Sequence, residues 1–163
     1  MFIEDPSGFS IYLPDDWQII APPPHHTQFV AYAPDDRYGF RPNIVITAHP
    51  FTPGLSTSDW SQVATQASLD ELEDCQLIDC LVDDGPAGDR PLETQFWVQV
   101  LSYTHKQWSL TAQQTGRYWR RLDGLWTLNI TYSTPTLDFV AGMDEMLDIL
   151  TSWQPIDAAK QEI

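Results

Sequence analysis

Basic side chains are scarce in this sequence of 163 residues. Lysine and arginine together number 8, against 23 aspartates and glutamates, so the formal net charge is −15 at pH 7. Such a surface repels phosphate backbones and anionic membranes, and we therefore expect neither nucleic acid nor a membrane as partner. Arg117, Arg120 and Arg121 form the densest basic group. They could hold one anion together, or they could pair with nearby carboxylates.

Cysteines and long apolar runs are also scarce. Cys75 and Cys80 fall on one predicted strand, where they project to opposite faces and lie too far apart for a disulfide. We expect both to be reduced and buried. No stretch approaches the roughly 18 apolar residues of a membrane helix, and the opening MFIEDPSGFS lacks the regions of a signal peptide. These features predict a cytoplasmic protein with a single domain over residues 1–163.

Signatures of catalysis and of cofactor binding are absent. The sequence has no GxSxG, no P-loop and no GxGxxG, so no hydrolase, kinase or dinucleotide site is indicated. His25 and His26 are neighbours in a proline-rich loop, and adjacent residues of an extended chain point apart, which disfavours a shared metal. Paired aspartates such as Asp35 and Asp36 fall in predicted turns. We expect no enzyme activity, no cofactor and no metal.

Alternating apolar residues dominate the rest of the chain and predict more strands than helices. Short connections between strands predict antiparallel pairing, most clearly at Asp123-Gly124, a strong turn signal. One helix is predicted after the cap Ser56 and another after the cap Thr134 with Pro135 in its first turn. The predicted inner stripe of the first helix is Trp60, Val63, Ala64, Ala67 and Leu72, and that of the second is Phe139, Met143, Met146, Leu147, Leu150 and Trp153. The predicted strands are 9–13, 27–33, 38–51, 75–82, 94–103, 107–115 and 125–132. The fold class is therefore α+β, a central twisted antiparallel sheet flanked by helices.

Two of the predicted strands carry an apolar face and a neutral polar face. In the strand 125–132, Thr127 and Asn129 alternate with apolar residues, and in the strand 107–115 Thr111 and Gln113 do the same. Gly116 could mark a bulge that resets this alternation. The polar sides are either solvated surface or a docking surface on which a rim aromatic anchors a protein partner. The candidate binding residues are Trp97, Thr111, Gln113, Thr127 and Asn129, with Tyr103 as a second possible rim aromatic. We expect Thr111, Gln113, Thr127 and Asn129 to line one side of adjacent strands.

The predicted strand within residues 38–51 opens with Arg41, Pro42 and Asn43. Proline can begin a strand because no ladder hydrogen bond is demanded of its nitrogen there, and it holds the preceding residue extended. Asn43 can bond the backbone of the turn before it. We expect Arg41 to contact a carboxylate, Asp35 or Asp36, or backbone carbonyls, and so to tie two strand ends together. The other interpretation of Arg41 is a ligand-binding arginine.

The order of FSIYLPDDW, FRPNIVIT, the capped STSDW helix, antiparallel strands and a closing helix resembles the PsbP-like superfamily. The resemblance extends from about Phe9 to Trp153 and is most marked for the small actinobacterial members, including LpqN-type lipoproteins. It implies a central antiparallel sheet between helices, an adaptor-like role and no shared catalytic residues. The wider members are photosystem subunits, a Ran-binding import factor and chaperones of secreted effectors. Unlike the lipoproteins, this sequence has no lipidation cysteine near its start, which counts against a cell-envelope role.

Two functional hypotheses follow. The first is a non-enzymatic adaptor or chaperone-like module that docks a protein segment on the neutral polar sheet face. The second is a small-molecule binding protein or unrecognised enzyme, with a pocket beside the sheet anchored by Arg41, Trp97 or Arg117. A deep pocket with convergent polar groups favours the second hypothesis, whereas a shallow concave face favours the first.

Overall fold

The computed structural model describes residues 1–86 and 90–156, so part of the predicted turn DDGPAGDRP lies outside the described residues. The strands are β1 (Phe2–Asp5), β2 (Phe9–Tyr12), β3 (Gln18–Ile19), β4 (Phe29–Tyr32), β5 (Asn43–Pro50), β6 (Glu73–Asp83), β7 (Phe96–His105), β8 (Trp108–Arg121), β9 (Gly124–Pro135) and β10 (Gln154–Pro155). The helices are α1 (Thr57–Glu71) and α2 (Met143–Ser152), with short 3₁₀ turns at Leu92–Thr94 and Thr136–Asp138.

Strands β3 to β9 form one seven-stranded sheet in the order β3-β4-β5-β9-β8-β7-β6. Every neighbouring pair in it is antiparallel. The pairing of Arg121 with Gly124 leaves Leu122 and Asp123 as the turn between β8 and β9, and Gly124 has a φ of 128° that favours glycine. The predicted pairing of residues 125–132 with the preceding strand is confirmed, and so is the α+β class.

The two sides of this sheet are covered by different layers. Face A is the side on which Trp119, Leu128, Ile130 and Tyr132 project, and face B is the side of Trp97, Leu101 and Tyr118. Helix α2 and a second, three-stranded sheet of order β1-β2-β10 cover part of face A and enclose the main hydrophobic core. Helix α1 covers part of face B.

Aromatic rings join the layers on both sides. On face A the ring of Phe9, from β2, meets Trp119 at a centroid distance of 5.8 Å and Trp153 at 6.2 Å. On face B the ring of Trp60, from α1, meets Trp97 at 5.4 Å and Tyr118 at 5.3 Å. Edge-on aromatic pairs of this kind add to the stability gained from burying their apolar area.

Helix α1 differs from its prediction in the face that it buries. The Ser56 cap is confirmed, since its side chain accepts a hydrogen bond from the Asp59 backbone N–H at 3.0 Å. The predicted apolar stripe is wrong at Val63, which is 58% exposed, and at Ala67, which is also exposed, whereas Trp60, Ala64 and Leu72 are half-buried. The inner face carries small hydroxyl residues instead, namely Thr57, Ser61, Thr65 and Ser68. The four hydroxyl residues follow helical spacing as well as the predicted apolar residues do. Polar side chains of the sheet beneath the helix form hydrogen bonds with Thr57 and Thr65.

Helix α2 begins later than predicted. Thr134 and Pro135 are the last residues of β9, a 3₁₀ turn follows, and Gly142 is the N-cap of α2. Tertiary pairing outweighed the local capping signal here, because Thr134 and Pro135 pair with Thr111 and Leu110 of β8. Most of the predicted stripe is buried or packs against the core, but Leu147 is 39% exposed.

Two further expectations are corrected by the sheet. Gly116 is no bulge, since β8 runs in continuous register past it. A Cβ atom at this position would lie 2.1 Å from the Trp97 ring, so the glycine makes room for that side chain. Both cysteines are free, yet Cys75 is only partly buried and Cys80 is exposed, because β6 is the edge strand and little covers it.

Candidate functional site

The covering layers leave half of each sheet face open. Helix α1 lies over β6, β7 and the Tyr118 side chain of β8 on face B, whereas the small sheet and α2 lie over β4, β5 and β9 on face A. The remaining part of face A therefore exposes the half-buried row Phe96, Val98, Val100 and Ser102 of β7. The remaining part of face B exposes Val45 and Thr47 of β5 with Thr127, Asn129 and Thr131 of β9.

A groove runs along the open part of face A between α2 and strands β7 and β8. Its cavity volume is about 470 Å³, within the range of ligand-binding clefts. Its lining includes apolar side chains (Phe96, Val98, Leu147, Leu150), neutral polar ones (Thr94, Gln95, Gln113, Thr115, Thr151) and two charged ones, Glu93 and Arg117. We call this cavity the α2 groove.

Arg117 is the one cation among the lining residues of the α2 groove. Its Nη1 donates to the Trp153 carbonyl oxygen at 2.9 Å, and its guanidinium lies 4.9 Å from the centre of the Trp153 ring. Desolvation by burial lowers the pKa of the Arg117 side chain, although an arginine stays charged at neutral pH. Within residues 1–86 and 90–156, no carboxylate forms an ion pair with it.

The other members of the predicted basic group are paired. Arg120 Nε donates to Glu93 Oε1 at 2.7 Å, and this hydrogen bond lowers the pKa of Glu93 below its usual range. Arg121 lies 3.3 Å from Asp123 and stacks 4.9 Å from the Trp119 ring and 4.6 Å from the Trp126 ring. Of the two interpretations of this group, pairing with carboxylates holds for Arg120 and Arg121. Arg117 has no such pair among the described residues.

The register of β8 and β9 divides the predicted binding residues between the two faces. Gln113 pairs with Tyr132, and Thr111 pairs with Thr134, so both project on face A. Thr127 and Asn129 pair with Tyr118 and Gly116 and project on face B. Directly opposed residues of an antiparallel pair share a side, and the expectation that these four line one side is therefore wrong. Gln113 alone of the four lines the α2 groove.

Neither predicted aromatic is an exposed rim residue. Trp97 is fully buried beneath α1, so its assignment as a surface anchor is wrong. Tyr103 is partly buried on face B and its hydroxyl donates to Ser133 Oγ at 3.3 Å, while burial raises the pKa of Tyr103. The α2 side of the groove, Leu147, Leu150 and Thr151, was missed as a binding element because the apolar stripe of the helix was predicted to lie wholly inside the core.

Arg41, Pro42 and Asn43 have the contacts of a structural motif. Arg41 donates to the Ala33 carbonyl oxygen from Nε at 3.0 Å and from Nη2 at 2.8 Å, and Nη2 also reaches Gln18 Oε1 at 2.9 Å. Asn43 Nδ2 donates to the Arg41 carbonyl at 3.2 Å, as predicted. The buried Pro42 accepts the Ala33 N–H at 2.8 Å. The predicted contact of Arg41 with a backbone carbonyl is confirmed. Its hydrogen bonds go to the Ala33 carbonyl and to the Gln18 side-chain amide, and not to the carboxylates of Asp35 or Asp36 that were the other predicted partners.

Other cavities have fewer convergent groups. A shallow hollow of about 660 Å³ lies between the β1–β2 turn and the β8–β9 turn, but Arg121 there pairs with Asp123 and Asp5 accepts from Ser7. A smaller hollow of about 190 Å³ lies between Trp60, Tyr118 and His49. Among the described residues no cluster of three or more histidines, cysteines and carboxylates could hold a metal, and no helix has the length and apolar character to cross a bilayer.

The architecture is shared with several solved structures. No protein-family model and no curated protein matches the sequence. LpqN of Mycobacterium tuberculosis, described as involved in cell envelope biogenesis, is 16% identical with a TM-score of 0.68, over 94% of this chain and 88% of that one. The chain has the PsbP-like fold.

Two more distant structures support that assignment. CyanoP, the cyanobacterial PsbP of Synechocystis sp. PCC 6803, is 11% identical with a TM-score of 0.59, over 95% of this chain and 91% of that chain. The Saccharomyces cerevisiae Ran-binding protein Mog1p is 7% identical with a TM-score of 0.57, over 93% and 92%. At these identities the likeness concerns the fold alone, and the resemblance inferred from the sequence is confirmed at that level.

Proposed function

We propose that this protein is a non-enzymatic binding module that docks a segment of a partner protein in the α2 groove. The observation that carries the proposal is the open half of face A, where apolar and neutral polar side chains lie together in one shallow concavity. Neutral hydrogen-bonding groups lose little on dehydration when a partner replaces their water, in contrast to unpaired charges. The Ran-binding protein Mog1p has the same fold, which supports a protein-binding role.

The edge of the sheet is a less suitable docking place than the groove. Strand β6 is long and exposes Leu77, Ile78 and Leu81, but its register with β7 shifts twice. The Asp79 carboxylate accepts the N–H of Cys80 at 2.8 Å. Bulges and charges on an edge strand hinder pairing with another chain. We therefore place the partner on face A and not along β6.

A second candidate function is the binding of a small molecule in the same groove. The observation that favours it is Arg117, a desolvated cation at a concave site of ligand-binding size. Arg41 and Trp97, the other anchors of that hypothesis, do not line the groove. The proposed setting for either function is the cytoplasm, which the free cysteines support.

A matched pair of arginine substitutions tests the docking site. Partners are first captured from a lysate of the source organism and identified by mass spectrometry. Gln113→Arg places a long charged side chain in the groove, and Asn129→Arg does so on the opposite face of the neighbouring strand. We expect Gln113→Arg to abolish capture of a specific partner and Asn129→Arg to retain it.

Circular dichroism establishes that both variants fold, so that a loss of capture is a loss of docking. Normal capture by a folded Gln113→Arg variant would show that the partner does not dock in the α2 groove. Loss of capture by Asn129→Arg alone would transfer the interface to face B.

A further inference from the structure

The α2 groove ends at a cation that no carboxylate of the described residues neutralises. Arg37, Arg90, Arg120 and Arg121 each pair with a carboxylate. Within residues 1–86 and 90–156 Arg117 has no such pair, although the chain carries a net charge of −15. A partly buried charge without a counter-charge costs stability in the empty protein. A ligand anion that reached it would recover part of that cost.

The lining of the groove directs that anion to Arg117. Glu93 is the one carboxylate among the lining residues, and its Oε1 is already bonded to Arg120. The Trp153 carbonyl accepts a hydrogen bond from Arg117 Nη1, and the guanidinium lies over the Trp153 ring. A planar guanidinium suits two parallel hydrogen bonds to a carboxylate.

Along the direction of β8 the groove is closed beyond Arg117. Gln113, Thr115 and Arg117 line it in succession along β8, and the next residue on that face is Trp119, which is fully buried. Trp119 packs against Phe9 and Trp153, so the core fills the space into which a chain lying along β8 would have to continue. An extended segment that follows β8 from Gln113 therefore ends at Arg117.

We propose that the α2 groove binds the free C-terminal end of a partner chain, with Arg117 holding the α-carboxylate. The last side chains of that segment are apolar and pack on Val98, Leu147 and Leu150, and its backbone bonds the neutral groups of Gln113 and Thr115. Capture of a terminal carboxylate is an established means of peptide recognition. This inference rests on the proposed function, because it specifies which kind of segment the groove docks.

Two peptide pools that differ only at the terminus test the inference. Both contain acetylated hexapeptides with Val, Leu, Ile or Phe at the last two positions and Ala, Ser or Thr before them. One pool ends in the free acid and the other in the amide. Each is titrated into ¹⁵N-labelled protein, and the NMR signals of the Arg117 Nε–H and of the Val98 and Thr115 amides are followed. We expect the free-acid pool to bind at least about tenfold more tightly, since hydrogen bonds to a charged group are worth about 1.5–3 kcal/mol.

Variants attribute the preference to Arg117. Arg117→Gln should abolish the difference between acid and amide. Arg121→Gln should retain it, because Arg121 pairs with Asp123 and does not line the groove. Arg120 is unsuitable as this control, because its removal would release Glu93 into the groove. Val98→Glu leaves Arg117 in place and supplies a competing carboxylate from the diagonal position on β7. It should abolish binding of the free-acid pool, whereas Val98→Gln should keep the preference for the acid.

Three outcomes overturn the inference. Equal binding of the two pools would show that the terminus is not read, and the proposed docking of an internal segment would stand. Binding of neither pool would exclude a C-terminal ligand. The proposed docking in the groove would then still be tested separately, by whether the Gln113→Arg variant captures the partner. The third outcome concerns decanoate, a small apolar carboxylate. If decanoate shifts the Arg117 signal at a lower concentration than the free-acid pool does, and displaces that pool, the ligand of Arg117 is a small molecule and not a chain end.

Discussion

Arg41 joins three separate parts of the chain through one side chain. Its guanidinium bonds the Ala33 carbonyl after β4 and the Gln18 side chain of the edge strand β3, and it lies 5.4 Å from the centre of the Tyr32 ring. These contacts hold the end of β4 and the start of β5 in place. A hydrogen bond to a charged donor contributes more to stability than a neutral one.

Arg41→Ala should therefore destabilise the fold by about 1–3 kcal/mol, measured as a fall in melting temperature. Arg120→Ala is the control, because Arg120 forms a solvent-exposed ion pair, and such pairs contribute about 0–1 kcal/mol. A melt of Arg41→Ala that matches the unsubstituted protein would show that Arg41 is not a structural tie.

Tyr132 is a buried tyrosine whose hydroxyl has no hydrogen-bond partner among the described residues. Burial raises the pKa of Tyr132 well above its ordinary value of about 10, Glu145 raises it further, and Arg37 lowers it. Below pH 10 the group is protonated in both the folded and the unfolded protein. Above it the unfolded chain loses the proton first, so this tyrosine makes the fold less stable as the pH rises.

Tyr132→Phe should leave stability at pH 7 within about 1 kcal/mol of the unsubstituted protein, since it deletes a buried unpaired hydroxyl. Above pH 10 the variant should lose stability less steeply, as measured by urea unfolding at several pH values. Tyr103 and Tyr118 titrate in both proteins, so the comparison isolates Tyr132. Parallel pH curves for the two proteins would contradict the assignment.

Helix α1 is held to face B largely by polar contacts. Thr57 donates its hydroxyl hydrogen to Gln95 and lies 2.9 Å from the Tyr118 hydroxyl, and Thr65 donates to Gln99 at 2.5 Å. Thr57→Val keeps the shape of the side chain but leaves buried polar atoms of Gln95 and Tyr118 without this partner. We expect a loss of about 1–3 kcal/mol in the free energy of unfolding.

Val63→Thr is the matched control for that substitution. Val63 lies on the exposed side of the same helix, and a surface change of this kind is usually worth about 0.5 kcal/mol or less. Chemical denaturation of both variants gives the comparison. A greater loss for Val63→Thr than for Thr57→Val would favour the apolar stripe predicted from the sequence over the hydroxyl face in the structure.

The sequence predicts elements more reliably than it predicts which elements face each other. The alternation in β9 and the turn signal before it are local, and the predicted antiparallel pairing is confirmed, with the turn at Leu122 and Asp123, one residue earlier than predicted. The face shared by β8 and β9 depends on the length of the turn. Because Leu122 and Asp123 form the turn, odd-numbered residues of β8 align with even-numbered residues of β9, and Gln113 lies opposite Tyr132.

The candidate site was only partly predictable for a related reason. Alternation marks Gln113 as a polar sheet residue, and the cluster 117–121 marks Arg117 as basic. What makes the two of them neighbours in a groove is the limited coverage of face A by α2 and the small sheet. Coverage is a tertiary property that the pattern of a single strand does not contain, because the environment changes along β8 from the open Gln113 to the buried Trp119.

At the scale of the whole molecule, the proposed function depends on which open half of the sheet receives the partner. Val98 and Val45 form a matched pair for this question. Both are half-buried valines within the seven-stranded sheet, but Val98 projects on face A beside the α2 groove and Val45 on the open part of face B. Replacing either with the photocrosslinker p-benzoylphenylalanine samples one face at a time.

Crosslinking in a lysate of the source organism tests this claim most directly, because the partner need not be identified beforehand. Circular dichroism first establishes that both labelled proteins fold. Docking in the α2 groove predicts that irradiation joins a discrete partner, identified by mass spectrometry, to the protein labelled at Val98 and not to the protein labelled at Val45. A partner joined through Val45 and absent from Val98 would contradict it and would place the interface on face B.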